Sequence, residues 1–125
     1  MTFAHPLLEF SLDLPAGWRP VADVPPTFAA PDDPARSFVP NIVVTTGDPA
    51  DPVAVADGLL GAWLIDAGPD HILLHHLERD VPTVLEQWWT VRDGRAWVVS
   101  ASCAPLDYDA LADTFAAIAG SFALR

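Results

Sequence analysis

The spacing of apolar residues divides the chain into elements. Phe10-Ser11-Leu12-Asp13-Leu14 alternates apolar and polar, the period of a half-buried strand. Pro15-Ala16-Gly17-Trp18 turns the chain, with Trp18 as an anchor. Residues 20–40 hold no sustained period and read as an irregular stretch with one short strand at Thr27–Ala30. Asn41-Ile42-Val43-Val44-Thr45-Thr46 is rich in β-branched residues and predicts a strand, which Gly47-Asp48-Pro49 ends. Asp51-Pro52 has the form of a helix start, an N-cap acceptor followed by proline at the first helical position. Ala56, Leu59, Leu60, Trp63, Leu64 and Ala67 then recur at helical spacing. A helix is therefore predicted over Pro52–Ala67, with Trp63 in its core-facing stripe and Gly68-Pro69 as its stop. Ile72–Leu77 reads as a strand with apolar side chains on both faces.

The clearest element follows. Val84–Arg92 and Arg95–Cys103 flank Asp93-Gly94, a two-residue hairpin signal. That turn sets Thr90 opposite Trp97, Trp88 opposite Val99 and Glu86 opposite Ala101 on one face. The other face pairs Val91 with Ala96, Trp89 with Val98 and Gln87 with Ser100. Large apolar groups on both faces require cover on both sides. After Pro105, Asp107 is placed to cap a last helix over Tyr108–Leu124, striped by Tyr108, Leu111, Phe115, Ile118 and Phe122. The order of strands, helix, three strands, helix predicts an α+β fold with a mainly antiparallel sheet.

Composition narrows the functional classes. The 125 residues fit one domain, 1–125, and 51% are hydrophobic, too many for a disordered chain. Ten of the 13 prolines fall in residues 1–52, which favours short strands and turns there. The net charge is −11, with no lysine, a surface that repels phosphate backbones and anionic lipid. Nucleic acid is thus excluded as a direct partner. The apolar stretches fall well short of a membrane span. The opening residues lack a basic n-region, and Cys103 is the single cysteine, so the expected compartment is the cytoplasm.

Several segments resemble one family. Phe10-Ser11-Leu12-Asp13-Leu14-Pro15-Ala16-Gly17-Trp18 is similar to the strand and Pro-x-Gly-Trp opening of PsbP-like domains. Phe38-Val39-Pro40-Asn41-Ile42-Val43-Val44 resembles the central strand of bacterial relatives of the LpqN type. The closing hairpin and the helix ending Gly120-Ser121-Phe122 fit the same pattern. The resemblance implies an α/β/α sandwich around an antiparallel sheet. It also implies a protein-binding role, as in photosystem assembly subunits, a Ran-binding factor and Eag-type chaperones, with no shared catalytic residues. Fold likeness alone does not fix function.

No catalytic, metal or cofactor site is assigned. His71 and His75 can share a strand face, but His76 points the other way, and the spacing matches no zinc pattern. Cys103 falls on the face of Val84, Trp88 and Trp97 and reads as a packed thiol. Glu86 is expected at a rim or beside an arginine, with no second titratable group to form an acid–base pair. The five tryptophans are more informative. A face of the sheet, or the proline-rich segment Val24–Pro40 lying against it, is expected to leave an aromatic surface for a partner, with Phe28, Phe38, Trp88 and Trp97 as binding residues. The leading reading is a non-enzymatic protein-binding module, a chaperone or adaptor for a secreted or membrane-active client, with homo-oligomerisation left open. The competing reading is a small apolar-ligand-binding or enzymatic domain with a pocket between sheet and helices.

Overall fold

The computed structural model describes residues 1–59 and 62–125. Their elements are β1 (Thr2–Ala4), β2 (Phe10–Asp13), β3 (Arg19–Asp23), β4 (Pro26–Ala29), β5 (Asn41–Gly47), α1 (Pro52–Asp57), β6 (Trp63–Ala67), β7 (His71–Glu78), β8 (Val81–Arg92), β9 (Arg95–Cys103), α2 (Tyr108–Ser121) and β10 (Ala123–Leu124). Seven strands form one sheet in the order β3-β4-β5-β9-β8-β7-β6, and β1-β2-β10 form a smaller one. Every pairing is antiparallel.

The β8–β9 hairpin is as the sequence predicts, residue for residue. Asp93 and Gly94 both take positive φ, 54° and 74°, the twist that a tight hairpin needs. At the other end of β8, Arg79 and Asp80 make an equivalent turn with φ of 50° and 66° and without glycine. In the Pro15–Trp18 turn, Gly17 has φ of 86°, and a Cβ there would lie 2.6 Å from Cγ of Pro31. Glycine is thus required by conformation and by space.

The layers follow from the apolar stripes. α2 buries Leu111, Phe115 and Ile118 against one face, beside Phe10 and Leu12 of β2. Ile42 and Val44 of β5, Val99 and Ala101 of β9, Val84 of β8 and Phe28 of β4 meet them from the large sheet. Burying a side chain such as Phe115 contributes about 1.5–3 kcal/mol. The opposite face carries a smaller cluster, in which Ala56 of α1 covers Ile72, Leu74 and Leu85. The result is an α+β sandwich with a helix on each face of an antiparallel sheet.

Four local expectations change. The helix predicted over Pro52–Ala67 stops at Asp57, closed by the Gly58 N–H on the carbonyls of Ala56 and Val55. Trp63–Ala67 is instead an edge strand, and Trp63 lies outside the core; Leu60 of the predicted stripe lies outside the described residues. Trp63-Leu64-Ile65 fits a strand as well as a helix, and the glycines at 58 and 61 weaken the helix. The short strand expected at Thr27–Ala30 is present as β4, but the residues before it, predicted to be irregular, supply β3, so much of Val24–Pro40 lies within the sheet or connects its strands. The last helix ends at Ser121, and Ala123–Leu124 pairs with β2. Asp107 makes no cap bond, because a 3-10 turn over Pro105–Asp107 precedes α2. Asp51 does cap α1, accepting from the Val53 N–H at 3.1 Å.

Candidate functional site

Strand register decides what the α2 side of the β8-β7-β6 flank presents. Trp88 stands opposite His71. Glu86 stands opposite Leu73, and Leu73 opposite Asp66. Val84, His75 and Trp63 form the next row, and Pro82 and Leu77 the last. α2 packs mainly on β2 and β9, so its cover thins across these rows. Trp63 is 76% exposed and Leu77 45%, and His75 and Asp66 are also exposed. Leu64 and Ile65 are exposed on the same strand. Among the described residues, β6 has no strand beyond it. Its outer edge therefore has no strand partner and lies beside apolar side chains, with the Ala67 N–H donating to Asp66 Oδ1 at 3.0 Å.

A buried polar network underlies this surface. Glu86 is 7% exposed, and both of its oxygens are engaged. Oε2 lies 2.7 Å from Nε2 of His71, and Oε1 accepts from the Tyr108 hydroxyl at 2.9 Å. Two partners are what a buried carboxylate needs. Burial, then the bond to Glu86, pushes the Tyr108 hydroxyl above its ordinary pKa, so it stays a donor. The His71 ring lies 5.4 Å from that of Trp88. Tyr108 opens α2 and His71 opens β7, so one carboxylate ties the helix start to the border of the open face. The expectation of Glu86 at a rim or beside an arginine, with no second titratable group near it, is thereby corrected: its neighbours are His71 and Tyr108.

Cys103 is fully buried, as its place in the hairpin suggests. Burial first, then the charges of Asp107 and Glu86 against an opposing Arg36, pushes its thiol up to about 11. A thiol so placed stays protonated near neutrality and is a poor nucleophile. His71 and His75 share a face, and His76 lies on the other. Among the described residues, no three His, Cys, Asp or Glu side chains are grouped to hold a metal.

The four residues named from sequence do not form one surface. Phe28 is 1% exposed, in edge contact with Phe3 at 4.8 Å, which leaves a partner nothing to reach. Trp97 is half-buried, with Phe10 at 6.3 Å and Phe122 at 6.2 Å. Phe38 is half-buried in the β4–β5 connection. Trp88 alone of the four borders the open face, half-buried beside His71. The sequence reading missed Trp63, Leu77 and the Glu86 network. A signal was present: a second hairpin closed at Arg79-Asp80 sets Trp88 opposite His71 and Glu86 opposite Leu73.

Three solved structures share this architecture. LpqN of Mycobacterium tuberculosis, involved in cell envelope biogenesis, aligns with a TM-score of 0.63 and 14% identity over 99% of this chain and 89% of its own. The Ran-binding protein Mog1p of Saccharomyces cerevisiae aligns with a TM-score of 0.65 and 8% identity over 99% of this chain and 94% of its own. CyanoP, the PsbP of Synechocystis, aligns with a TM-score of 0.60 and 16% identity over 100% of this chain and 92% of its own. The chain has a PsbP-like fold. No protein-family model matches the sequence, and no curated protein sequence does. At these identities the likeness is one of fold. Among the described residues, no helix is long and apolar enough to cross a membrane.

Proposed function

We propose that this protein is a protein-binding module of the adaptor or chaperone type, and that its partner docks on the open β6–β7 flank. The observation that carries this reading is Trp63, 76% exposed on an edge strand whose side chains are all exposed. Native proteins usually blunt such an edge with charge, proline or cover; here Asp66 is the one charged residue of β6. A partner offering an extended apolar segment would pair with the open backbone of β6 and seat its side chains beside Trp63 and Leu77. The net charge of −11 favours a partner that is basic around that segment. The fold-level likeness to a Ran-binding protein agrees with a protein partner. We place the protein in the cytoplasm, in keeping with its lone free thiol.

A photo-crosslinking residue at position 63 or 77, in protein returned to its native host, tests the reading. Leu106, 98% exposed and outside the flank, provides the control position. One protein species crosslinked at 63 and 77 and absent at 106 supports the module. Equal crosslinking at all three positions, or none at 63 and 77, contradicts it. Crosslinks to a second copy of the chain would identify the flank as a dimer interface instead.

A further inference from the structure

Cationic side chains gather at the tip of the β8–β9 hairpin. Between that tip and the end of the small sheet, where β2 begins and β10 finishes, lies an open cleft of about 250 Å³. Arg92, Arg95 and Arg125 line it, three of the six arginines of a chain whose net charge is −11. The hairpin register sets Arg92 directly opposite Arg95. Like charges so paired repel each other and cost stability. Arg125 is brought to them by its backbone N–H, which donates to the Glu9 carbonyl at 2.7 Å.

Little within the protein answers these charges. Arg92 pairs with Asp93 at 3.8 Å, but the two side chains are 56% and 94% exposed, so water screens the pair. Arg95 and Arg125 are exposed, and among the described residues neither enters an ion pair. Both can be reached from the cleft. An aromatic wall completes it. Trp97 is half-buried, packed against Phe10 at 6.3 Å and Phe122 at 6.2 Å, and the part left uncovered lines the cleft beside Leu124.

From these features we infer that the cleft is a binding site for a small aromatic monocarboxylate. The carboxylate accepts from Arg95 and Arg125, whose planar guanidinium groups match it with parallel N–H donors. The ring stacks on Trp97 beside Leu124. Side-chain charge sets the valence of the ligand. Three arginines against Glu9 and Asp93 leave one positive charge in excess, which a single carboxylate neutralises. A polyanion would carry unanswered negative charge beside those two acids, on a chain of net charge −11. The volume lies just below the roughly 300–1,000 Å³ of common ligand pockets, which suits a molecule of one or two rings. No lining residue belongs to β6 or β7, so the site is separate from the partner flank.

The test uses 2-naphthoate, with 2-naphthamide as its neutral isostere, titrated into isotopically labelled protein while backbone amide resonances are followed. Saturable shifts at Arg95, Trp97 and Leu124 are expected with the acid, and at least about tenfold weaker binding with the amide. Arg95→Gln should weaken binding of the acid about fivefold, the size of one exposed ion pair, and leave that of the amide unchanged. Arg79→Gln, in the turn before β8, makes the same change in overall charge away from the cleft and should leave affinity for the acid unchanged. Trp97→Leu should weaken both ligands alike. Absence of saturable shifts with 2-naphthoate, 2-naphthamide binding as tightly, or equal losses for Arg79→Gln and Arg95→Gln would overturn the assignment. Arg95 is exposed, so Arg95→Gln keeps the test decisive should Trp97→Leu fail to fold.

Discussion

On the β3-β4-β5 flank, the apolar side chains turned towards α2 find cover. Phe28, Ile42 and Val44 are at most 1% exposed, beneath Phe10, Leu12 and the stripe of α2. On the β6–β7 flank the same face carries Trp63, His75 and Leu77 in the open. Both flanks are antiparallel and rich in apolar residues, so strand composition does not separate them. Supply of cover does. α2 has 14 residues and is therefore about 21 Å long and about 10 Å across, against a seven-strand sheet about 29 Å wide. The small β1-β2-β10 sheet extends that cover towards β5. Towards the β6 side, Tyr108 bonds Glu86 of β8, and Leu73 of β7 packs against the margin of the same core. A sheet face left open beside a fixed network is what a docking surface requires, because its residues are held without being buried.

The largest expected difference between the flanks is in stability. Phe115→Ala empties a fully buried site and should cost about 3–5 kcal/mol in urea unfolding. Trp63→Ala removes a larger side chain and should change stability by no more than about 0.5 kcal/mol. Comparable losses for the two would erase the distinction between the flanks.

Next in size is the network that joins them. Glu86→Ala leaves the Tyr108 hydroxyl and the His71 ring without their buried acceptor and should cost about 2–4 kcal/mol. In a double-mutant cycle with Tyr108→Phe, the losses should fall short of additive by about 1 kcal/mol, the signature of a direct bond. Strict additivity would mean that Tyr108 and Glu86 do not share one.

The pH profile gives a smaller, separable effect at the centre of the sheet, where Cys103 ends β9. The Cys103 thiol ordinarily titrates at 9.0 and here at about 11, mainly because it is buried. Between those values the unfolded chain gives up the proton and the folded chain keeps it. Stability from this group is therefore intact below pH 9 and falls as pH rises towards 11, by up to about 1.4 kcal/mol per pH unit. Tyr108, also shifted upward from 10.0, steepens the fall above pH 10. Cys103→Ala should flatten the profile between pH 9 and 10; an unchanged slope would mean that the thiol ionises freely in the fold.

The sequence is legible where a local rule sets long-range geometry. Asp93-Gly94 fixes a two-residue turn, and from it alone every pairing of β8 with β9 follows. It fails where one pattern serves two structures. Ala56, Leu59, Trp63 and Leu64 satisfy a helical period, yet the chain uses the first part as a helix and the second as an edge strand. Strand β3 is hidden because Pro20 breaks its alternation and all of its residues are exposed. The Glu86 network needs two facts that no local signal carries: the register set by the glycine-free turn at Arg79-Asp80, and the place where α2 begins on the sheet. Of the four residues proposed as a binding surface, the pattern located Trp88 correctly on a strand face but offered no means of telling which end of that face α2 would leave open.

The claim that the β6–β7 flank is the docking surface is tested most directly by affinity for the crosslinked partner. Trp63→Ala, confirmed to unfold within about 0.5 kcal/mol of the parent, should weaken binding about 30-fold, corresponding to about 2 kcal/mol for an interface anchor. Trp97→Phe, on the central strand β9, should leave the affinity within about twofold, a change of about 0.4 kcal/mol. An unchanged affinity for Trp63→Ala would contradict the account.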